Sequence, residues 1–198
     1  MTARLIVFIS SSGTNLQAII DAIAAKQLAA EIVLVVSNRK AAYGLVRAQT
    51  AGISTLYFPL KSYLEDGRGR EAYERDLAAK IKLYRPKLIV LAGWMHVLSA
   101  IFLEQFPNQV INLHPALPGA FPGTEAIRRT FESYQRGEVQ HGGCMVHYTV
   151  PEVDAGRVIV QAVVPIKPDD TLEMFETRLH AAEHQLIVEA VRKVLSAI

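Results

Sequence analysis

Leu5-Ile6-Val7-Phe8-Ile9-Ser10-Ser11-Ser12-Gly13-Thr14-Asn15 sets the pattern for the whole chain. Leu5–Ile9 is a short β-rich apolar run, and Ser10–Thr14 is a turn. From Asn15 to Ala25 the apolar residues Leu16, Ile19, Ile20 and Ile23 recur at helical spacing. The same alternation continues. Ile32–Val36 is a second strand, nearly all apolar, as expected of a strand buried on both faces. Gly44–Thr50 is a short helix stopped near Gly52, and Thr55–Phe58 is a short strand. Lys61–Arg70 is polar, holds two glycines and reads as a surface loop. Glu71–Tyr84 is a helix ended before Pro86. Lys87–Ala92 is a strand, Ala100–Gln105 a short helix and Gln109–Leu113 a strand. Strands alternating with helices predict an α/β fold with a mostly parallel twisted sheet and helices on both faces. The last strands, near Met145–Val150 and Val158–Val164, follow each other with no helix between them. They predict an antiparallel extension of the sheet. No repeat, low-complexity tract or linker interrupts the chain, so residues 1–198 read as a single domain.

Composition excludes several classes. The chain has 198 residues, about half apolar and a fifth charged, as in ordinary globular proteins. A net charge of +2 gives no general surface for nucleic acid or membrane. The single cysteine, Cys144, excludes an internal disulfide, fits a reducing compartment and reads as a packed thiol rather than a nucleophile. The N-terminal segment lacks the long apolar run of a signal peptide or membrane span, so a cytoplasmic location is expected. The near-neutral surface and long C-terminal helix permit a monomer or a homodimer.

Two segments carry chemistry. In Val110-Ile111-Asn112-Leu113-His114-Pro115, Asn112 and His114 project to one side of a strand. Pro115 has no N–H and ends that strand. The ends of strands in α/β folds are where ligands bind. An amide beside an imidazole suits a carbonyl that becomes an oxyanion, although backbone carbonyls satisfy many strand-end histidines. The second segment, Gly143-Cys144-Met145-Val146-His147-Tyr148, is followed by Glu152-Val153-Asp154-Ala155-Gly156. Asp154 lies in a turn, where a lone aspartate usually caps backbone. His147 lies in the strand, where a structural role is as plausible as an accessory one.

Other features leave alternatives open. The Ser10–Asn15 turn leads into a helix N-terminus, which favours anions, and Gly13 permits close approach. The plainer reading is a helix capped by Thr14 or Asn15. The spacing matches neither the P-loop nor G-x-G-x-x-G, so ATP and NAD are not expected. In the C-terminal helix, Leu172, Phe175, Leu179, Leu186, Ile187, Ala190 and Val194 form an apolar stripe, and Glu183 interrupts it. A buried carboxylate needs a partner. Glu183 therefore either ties down a neighbouring segment or faces a substrate, while His180 and His184 read as surface residues. The Ala116–Gly123 loop is either a mobile lid or a connector stiffened by Pro118 and Pro122. His114, His141 and His147 lack zinc spacing, so no metal is expected.

Together, Asn112–Pro118 (N-L-H-P-A-L-P), 143–156, Ser11–Gln17 (S-S-G-T-N-L-Q) and Leu91–Leu98 (L-A-G-W-M-H-V-L) resemble the glycinamide ribonucleotide formyltransferase family, the folate-dependent enzymes of purine synthesis. The likeness covers nearly the whole chain in order, and its wording is similar to the fungal-type members. It implies a Rossmann-like formyltransferase fold, with 10-formyltetrahydrofolate as formyl donor and a primary amine as acceptor. It implies that Asn112, His114 and Asp154 are catalytic, with Asp154 orienting His114 and raising its pKa. It implies that Gly13, Thr14, Asn15, Gly93, Pro115 and Glu183 bind glycinamide ribonucleotide. On the folate side it implies Arg70, Met95, His96, Val97, Leu98, Asn112, Val150, Pro151, Glu152, Val153 and Asp154. Bacterial members commonly carry arginine where this chain has His96, and the Pro151 position is more often acidic. The alternatives are a formyltetrahydrofolate hydrolase or a catalytically idle folate- or nucleotide-binding module. Hydrolases usually carry a further N-terminal domain, and formyltransferases acting on Met-tRNA or nucleotide sugars carry C-terminal extensions. Intact Asn112, His114 and Asp154 argue against an idle module.

Overall fold

The computed structural model describes residues 2–197; residues 1 and 198, the ends of the expected 1–198 domain, lie outside the described residues. In chain order the elements are β1 (Ala3–Ile9), α1 (Thr14–Ala24), β2 (Ala30–Ser37), α2 (Tyr43–Thr50), β3 (Thr55–Tyr57), α3 (Leu60–Glu65), α4 (Gly69–Lys82), β4 (Leu88–Leu91), α5 (Ala100–Leu103), β5 (Val110–His114), α6 (Ala126–Gln135), β6 (His141–Tyr148), β7 (Val158–Pro165) and α7 (Leu172–Ser196). The strands are ordered β3-β2-β1-β4-β5-β6-β7 in one sheet. The β1–β2, β1–β4 and β2–β3 pairs are parallel, and β6–β7 is antiparallel as expected. The chain divides into two compact units, 1–111 and 112–198.

In the first unit, β1 is buried on both faces because its residues alternate between two cores. Ile6 and Phe8 join Leu34, Val36, Ile89 and Leu91 against Tyr73, Leu77 and Ile81 of α4 and Phe102 of α5. Leu5, Val7 and Ile9 on the opposite face are fully buried too. The strand order reverses between β1 and β4, and such switch points open a crevice at the strands' carboxyl ends. There the Met95 N–H donates to Ser10 Oγ at 3.0 Å. In the second unit, Phe131 of α6 stacks on Phe175 of α7 at 6.1 Å, beside Val164, Ile166 and Leu179.

Two sequence expectations are corrected. The Lys61–Arg70 loop is partly helical: α3 fills its first half, and α4 begins at Gly69. The cause is Tyr63, which is buried against Phe58 and Tyr73 and draws the segment onto the core. Thr14 and Asn15 do not cap α1: both lie inside it, and Gly13 is the N-cap residue at φ 70° with no side-chain cap. Helix α6 had no counterpart in the sequence reading. Its apolar face of Ala126, Ile127 and Phe131 is short and set among charged residues.

Gly13 is fixed by contact as well as by dihedral. A Cβ there would lie 2.6 Å from Gly44 Cα on α2. Gly52 has the same positive φ, 71°, but open space around it. Gly52→Ala should therefore cost about 1 kcal/mol, the conformational term alone. Gly13→Ala should cost roughly 2–4 kcal/mol, because overpacking adds to it. Urea unfolding of both variants checks this, and equal losses would show that the Gly13–Gly44 approach imposes no packing constraint.

Candidate active site

The chemistry-bearing residues of the second unit converge on one carboxylate. Strand β5 carries Asn112 and His114 on the same side and stops at Pro115. Asp154 lies in the turn after β6 with φ 54°, a left-handed conformation that short polar side chains tolerate. Its Oδ2 accepts from Gly123 N–H at 2.8 Å and lies 3.2 Å from His114 Nδ1. Its Oδ1 accepts from Asn112 Nδ2 at 3.1 Å and lies 3.5 Å from His147 Nε2. His147 Nδ1 donates to the Tyr148 carbonyl at 2.9 Å, since a carbonyl only accepts. In the neutral ring Nε2 is therefore the acceptor, and it faces Asn112 Nδ2 at 3.2 Å.

Local backbone features aim these groups. The β6–β7 register shifts between Val146 and His147, which pair with Val160 and Val158. Such a bulge re-aims the neighbouring side chain, here His147. A Cβ on Gly156 would fall 1.6 Å from the Tyr148 carbonyl oxygen, the same oxygen that receives His147. Only glycine lets the turn return this close to β6. An open cleft of about 470 Å³ is lined by Asp154, Arg157, Pro118 and Pro122, a size suited to part of a small molecule.

The other ring nitrogen of His114 is engaged as well. Nε2 lies 3.1 Å from the carbonyl oxygen of Phe121, in the 116–123 loop. Arg129 of α6 donates to that oxygen at 2.8 Å and to the Pro122 carbonyl at 2.5 Å. Neither Phe121 nor Arg129 was marked by the sequence, because a main-chain oxygen has no residue signature. The expected rise in the His114 pKa is not found. Burial, at 4% exposure, pushes it below the ordinary imidazole value, and Asp154 and the Phe121 carbonyl only partly offset this. For Asp154, burial pushes the carboxyl up, but the His147 ring, the bond from the Gly123 N–H and the His114 ring hold it below its ordinary value.

Of the remaining sequence candidates in this unit, Pro115 is half-buried behind His114, and Val150, Pro151, Glu152 and Val153 form the turn ahead of Asp154. Glu183 is buried on α7 and bonded by His180 Nδ1 at 2.9 Å, so His180 is a partner rather than an ordinary surface residue. The Cys144 thiol is fully buried and pushed up to about 12 by burial and the Glu183 charge, which fits a packed residue.

In the first unit, Gly13, Thr14 and Asn15 form the start of α1, and Arg47 Nε braces this turn through the Ser12 carbonyl at 2.9 Å. Gly93 follows β4 with φ 84° and open space at its Cα. In the next loop Met95 and Val97 are half-exposed and Leu98 is buried. His96 Nε2 faces Asn38 Nδ2 at 2.8 Å, and burial lowers its pKa, helped by Arg70 and Arg39. Arg70 is not simply solvated: it bonds Glu74 at 3.1 Å and the Val97 carbonyl. Glu74 went unnoticed in the sequence, although it interrupts an apolar helix face as Glu183 does. Among the described residues no group of three or more His, Cys, Asp or Glu side chains is placed to hold a metal. Among them also no helix is long and apolar enough to cross a membrane.

An α/β sheet ending in an amide, an imidazole and a carboxylate that share hydrogen bonds has the groups an enzyme uses for chemistry at a carbonyl. A family model for formyl transferases matches residues 3–191, and the chain belongs to that family. It is 47% identical to the phosphoribosylglycinamide formyltransferase of Dictyostelium discoideum, over 97% of this chain and 98% of that one. It is also 47% identical to the enzyme of that name from Schizosaccharomyces pombe, over 99% of both chains. The crystal structure of phosphoribosylglycinamide formyltransferase from Bacillus halodurans superposes with a TM-score of 0.90 at 33% identity, covering 98% of this chain and 95% of that one.

Two predictions follow from the Asp154 cluster. Asp154→Asn keeps a residue that tolerates the left-handed backbone but removes the charge and places an amide N–H₂ among donors. Formyl transfer should fall about a hundredfold or more, with unchanged circular dichroism. A variant that keeps at least a third of wild-type turnover would remove Asp154 from the machinery.

The second concerns pH. Folded His114 takes up its proton at a lower pH than the unfolded chain, whose value is near 6.5. The unfolded state therefore binds more protons just below pH 6.5, and stability falls as the pH is lowered through that window. Asp154 adds its own loss only below about 3.8, its ordinary value in the unfolded chain. His180, whose pKa is raised by Glu183, loses stability only as pH rises above 6.5. His114→Asn should flatten the unfolding free energy between about pH 6.5 and 5 by up to about 1.4 kcal/mol per pH unit. Denaturant titrations across that range measure the slope, and an unchanged slope would contradict the assignment.

Proposed function

We propose that this protein transfers the formyl group of 10-formyltetrahydrofolate to the amino group of glycinamide ribonucleotide, the third step of de novo purine synthesis. The observation that carries this reading is the shared hydrogen-bond cluster of Asn112, His114 and Asp154 at the end of β5, in a chain matched along its length by formyl transferases. We read residues 1–198 as one formyltransferase domain, since the family match runs through both compact units. The reaction is placed in the cytoplasm, in keeping with the lone, buried thiol.

The neutral amine of the acceptor attacks the formyl carbon, and negative charge develops on the formyl oxygen. Attack forms the new C–N bond, and collapse breaks the bond between that carbon and N10 of the folate. One proton leaves the attacking nitrogen and one reaches N10. The Asp154 carboxylate and the His114 ring are the groups in the cluster that carry it. His114 Nε2 meets the developing oxyanion only when the formyl oxygen replaces the Phe121 carbonyl now 3.1 Å away. Asn112 spends its amide protons on Asp154 and His147, so donating to the oxyanion requires it to release the His147 contact. His147 acts as an accessory residue that holds this amide.

Gly13, Thr14, Asn15, Gly93, Pro115 and Glu183 are assigned to the ribonucleotide, the first three at the helix N-terminus that suits its phosphate. Arg70, Met95, His96, Val97, Leu98 and the 150–154 turn are assigned to the folate. The half-exposed Met95 and Val97 side chains offer an apolar surface to a flat ring.

The test is purified protein with 10-formyltetrahydrofolate, with and without glycinamide ribonucleotide, followed by formation of tetrahydrofolate. Turnover only with the amine is expected. Asn112→Ala and His114→Ala should each lower it about a hundred- to a thousandfold. Equal turnover without the amine would make the protein a hydrolase, and none in either condition would leave a binding module.

A further inference from the structure

The structure assigns to Glu74 the positioning of the 95–98 loop for the folate substrate. The inference rests on reading that loop as the folate side. Glu74 is 1% exposed on the inward face of α4, among the apolar Tyr73, Leu77, Ala78 and Ile81. A carboxylate in such a place is costly unless its oxygens are well bonded. Both are. Ser99 N–H donates to Oε1 at 3.3 Å and to Oε2 at 3.1 Å, and Arg70 Nε donates to Oε1 at 3.1 Å. The Ser99 hydroxyl also bonds Oε2. Its oxygen accepts the Ile101 N–H as the cap of α5, so its proton is free to point at Glu74.

These bonds fix the loop at alternate positions. Glu74 holds residue 99 directly. It holds residue 97 through Arg70, whose guanidinium donates to the Val97 carbonyl. The far end is fixed by Ser10 on the Met95 N–H and by Asn38 on the His96 ring. With the main chain pinned, Met95 and Val97 are left with their side chains about half exposed, at 52% and 48%. Glu74 acts through the loop, so it is a positioning residue.

Glu74→Gln keeps the shape but turns one acceptor into a donor facing donors. It should raise the KM for 10-formyltetrahydrofolate about tenfold, leave the KM for glycinamide ribonucleotide within about twofold and leave kcat within about threefold. Ser99→Ala should shift the same constant by about threefold, and the double variant should be no worse than Glu74→Gln alone. Calorimetric binding of tetrahydrofolate, with no acceptor present, should weaken in step. If Glu74→Gln fails to fold, Ser99→Ala decides. A folded variant with both KM values unchanged, or raised equally, overturns the inference. Wild-type protein that binds tetrahydrofolate but transfers no formyl group would remove the proposed function, while weakened binding in the variants would still uphold Glu74's role.

Discussion

The site depends on the convergence of donors on the Asp154 carboxylate. Strand β5 supplies Asn112 and His114 and the loop before α6 supplies the Gly123 N–H, while His147 of β6 accepts from Asn112. The turn that carries Asp154 is thus registered directly on two other segments, and charge-assisted hydrogen bonds of this kind are roughly twice as strong as neutral ones. The arrangement has a backbone cost, since Asp154 sits in the left-handed region. Strain of that sort persists where surrounding structure over-determines it, as it does here. Gly156 and the bulge at His147 serve the same end: they let the turn close against β6 while keeping the imidazole aimed at the carboxylate.

The first unit uses the same economy with different chemistry. Its first turn is placed by backbone contact between Gly13 and Gly44, where no side chain intervenes. Its 95–98 loop is placed by polar groups: the buried Ser10 and Glu74 and the half-buried Asn38. Ser10 is shared, because it follows β1 and receives the loop that follows β4. The two loops are neighbours because the strand order reverses between these strands, which is a property of topology rather than of either loop.

What was legible in the sequence follows from these differences. The β1–turn–α1 unit, the β6–β7 pair and the stripe of α7 were readable because apolar periodicity is a local signal. Asn112, His114 and Asp154, which the structure brings together, were readable because the candidate signal lies in their side-chain types. Lys61–Arg70 misled because one residue, Tyr63, outweighs its polar neighbours once Phe58 and Tyr73 are beside it. Helix α6 was missed because its apolar face is short and set among charges. The rule that exposed Glu183, a carboxylate within an apolar stripe, applies equally to Glu74 between Tyr73 and Leu77. The Phe121 carbonyl and Gly123 N–H carry no side-chain signal, so only coordinates reveal them.

The His114 pKa shows why burial and tertiary neighbours matter. Reading Asp154 alone predicts a raised value, since a nearby anion favours imidazolium. The structure adds burial and the charges of His147 and Arg129, and the balance reverses. A neutral ring has one N–H for two oxygen neighbours, Asp154 Oδ2 and the Phe121 carbonyl. The carboxylate is the stronger acceptor, so the proton belongs on Nδ1 and the loop carbonyl is left facing a lone pair. That contact is held by Arg129, which bonds the same oxygen. Under the proposed function a formyl oxygen would take the place of this carbonyl; as it gained charge it would favour imidazolium, and His114 would then bond both partners at once, which would favour the charged state over the substrate.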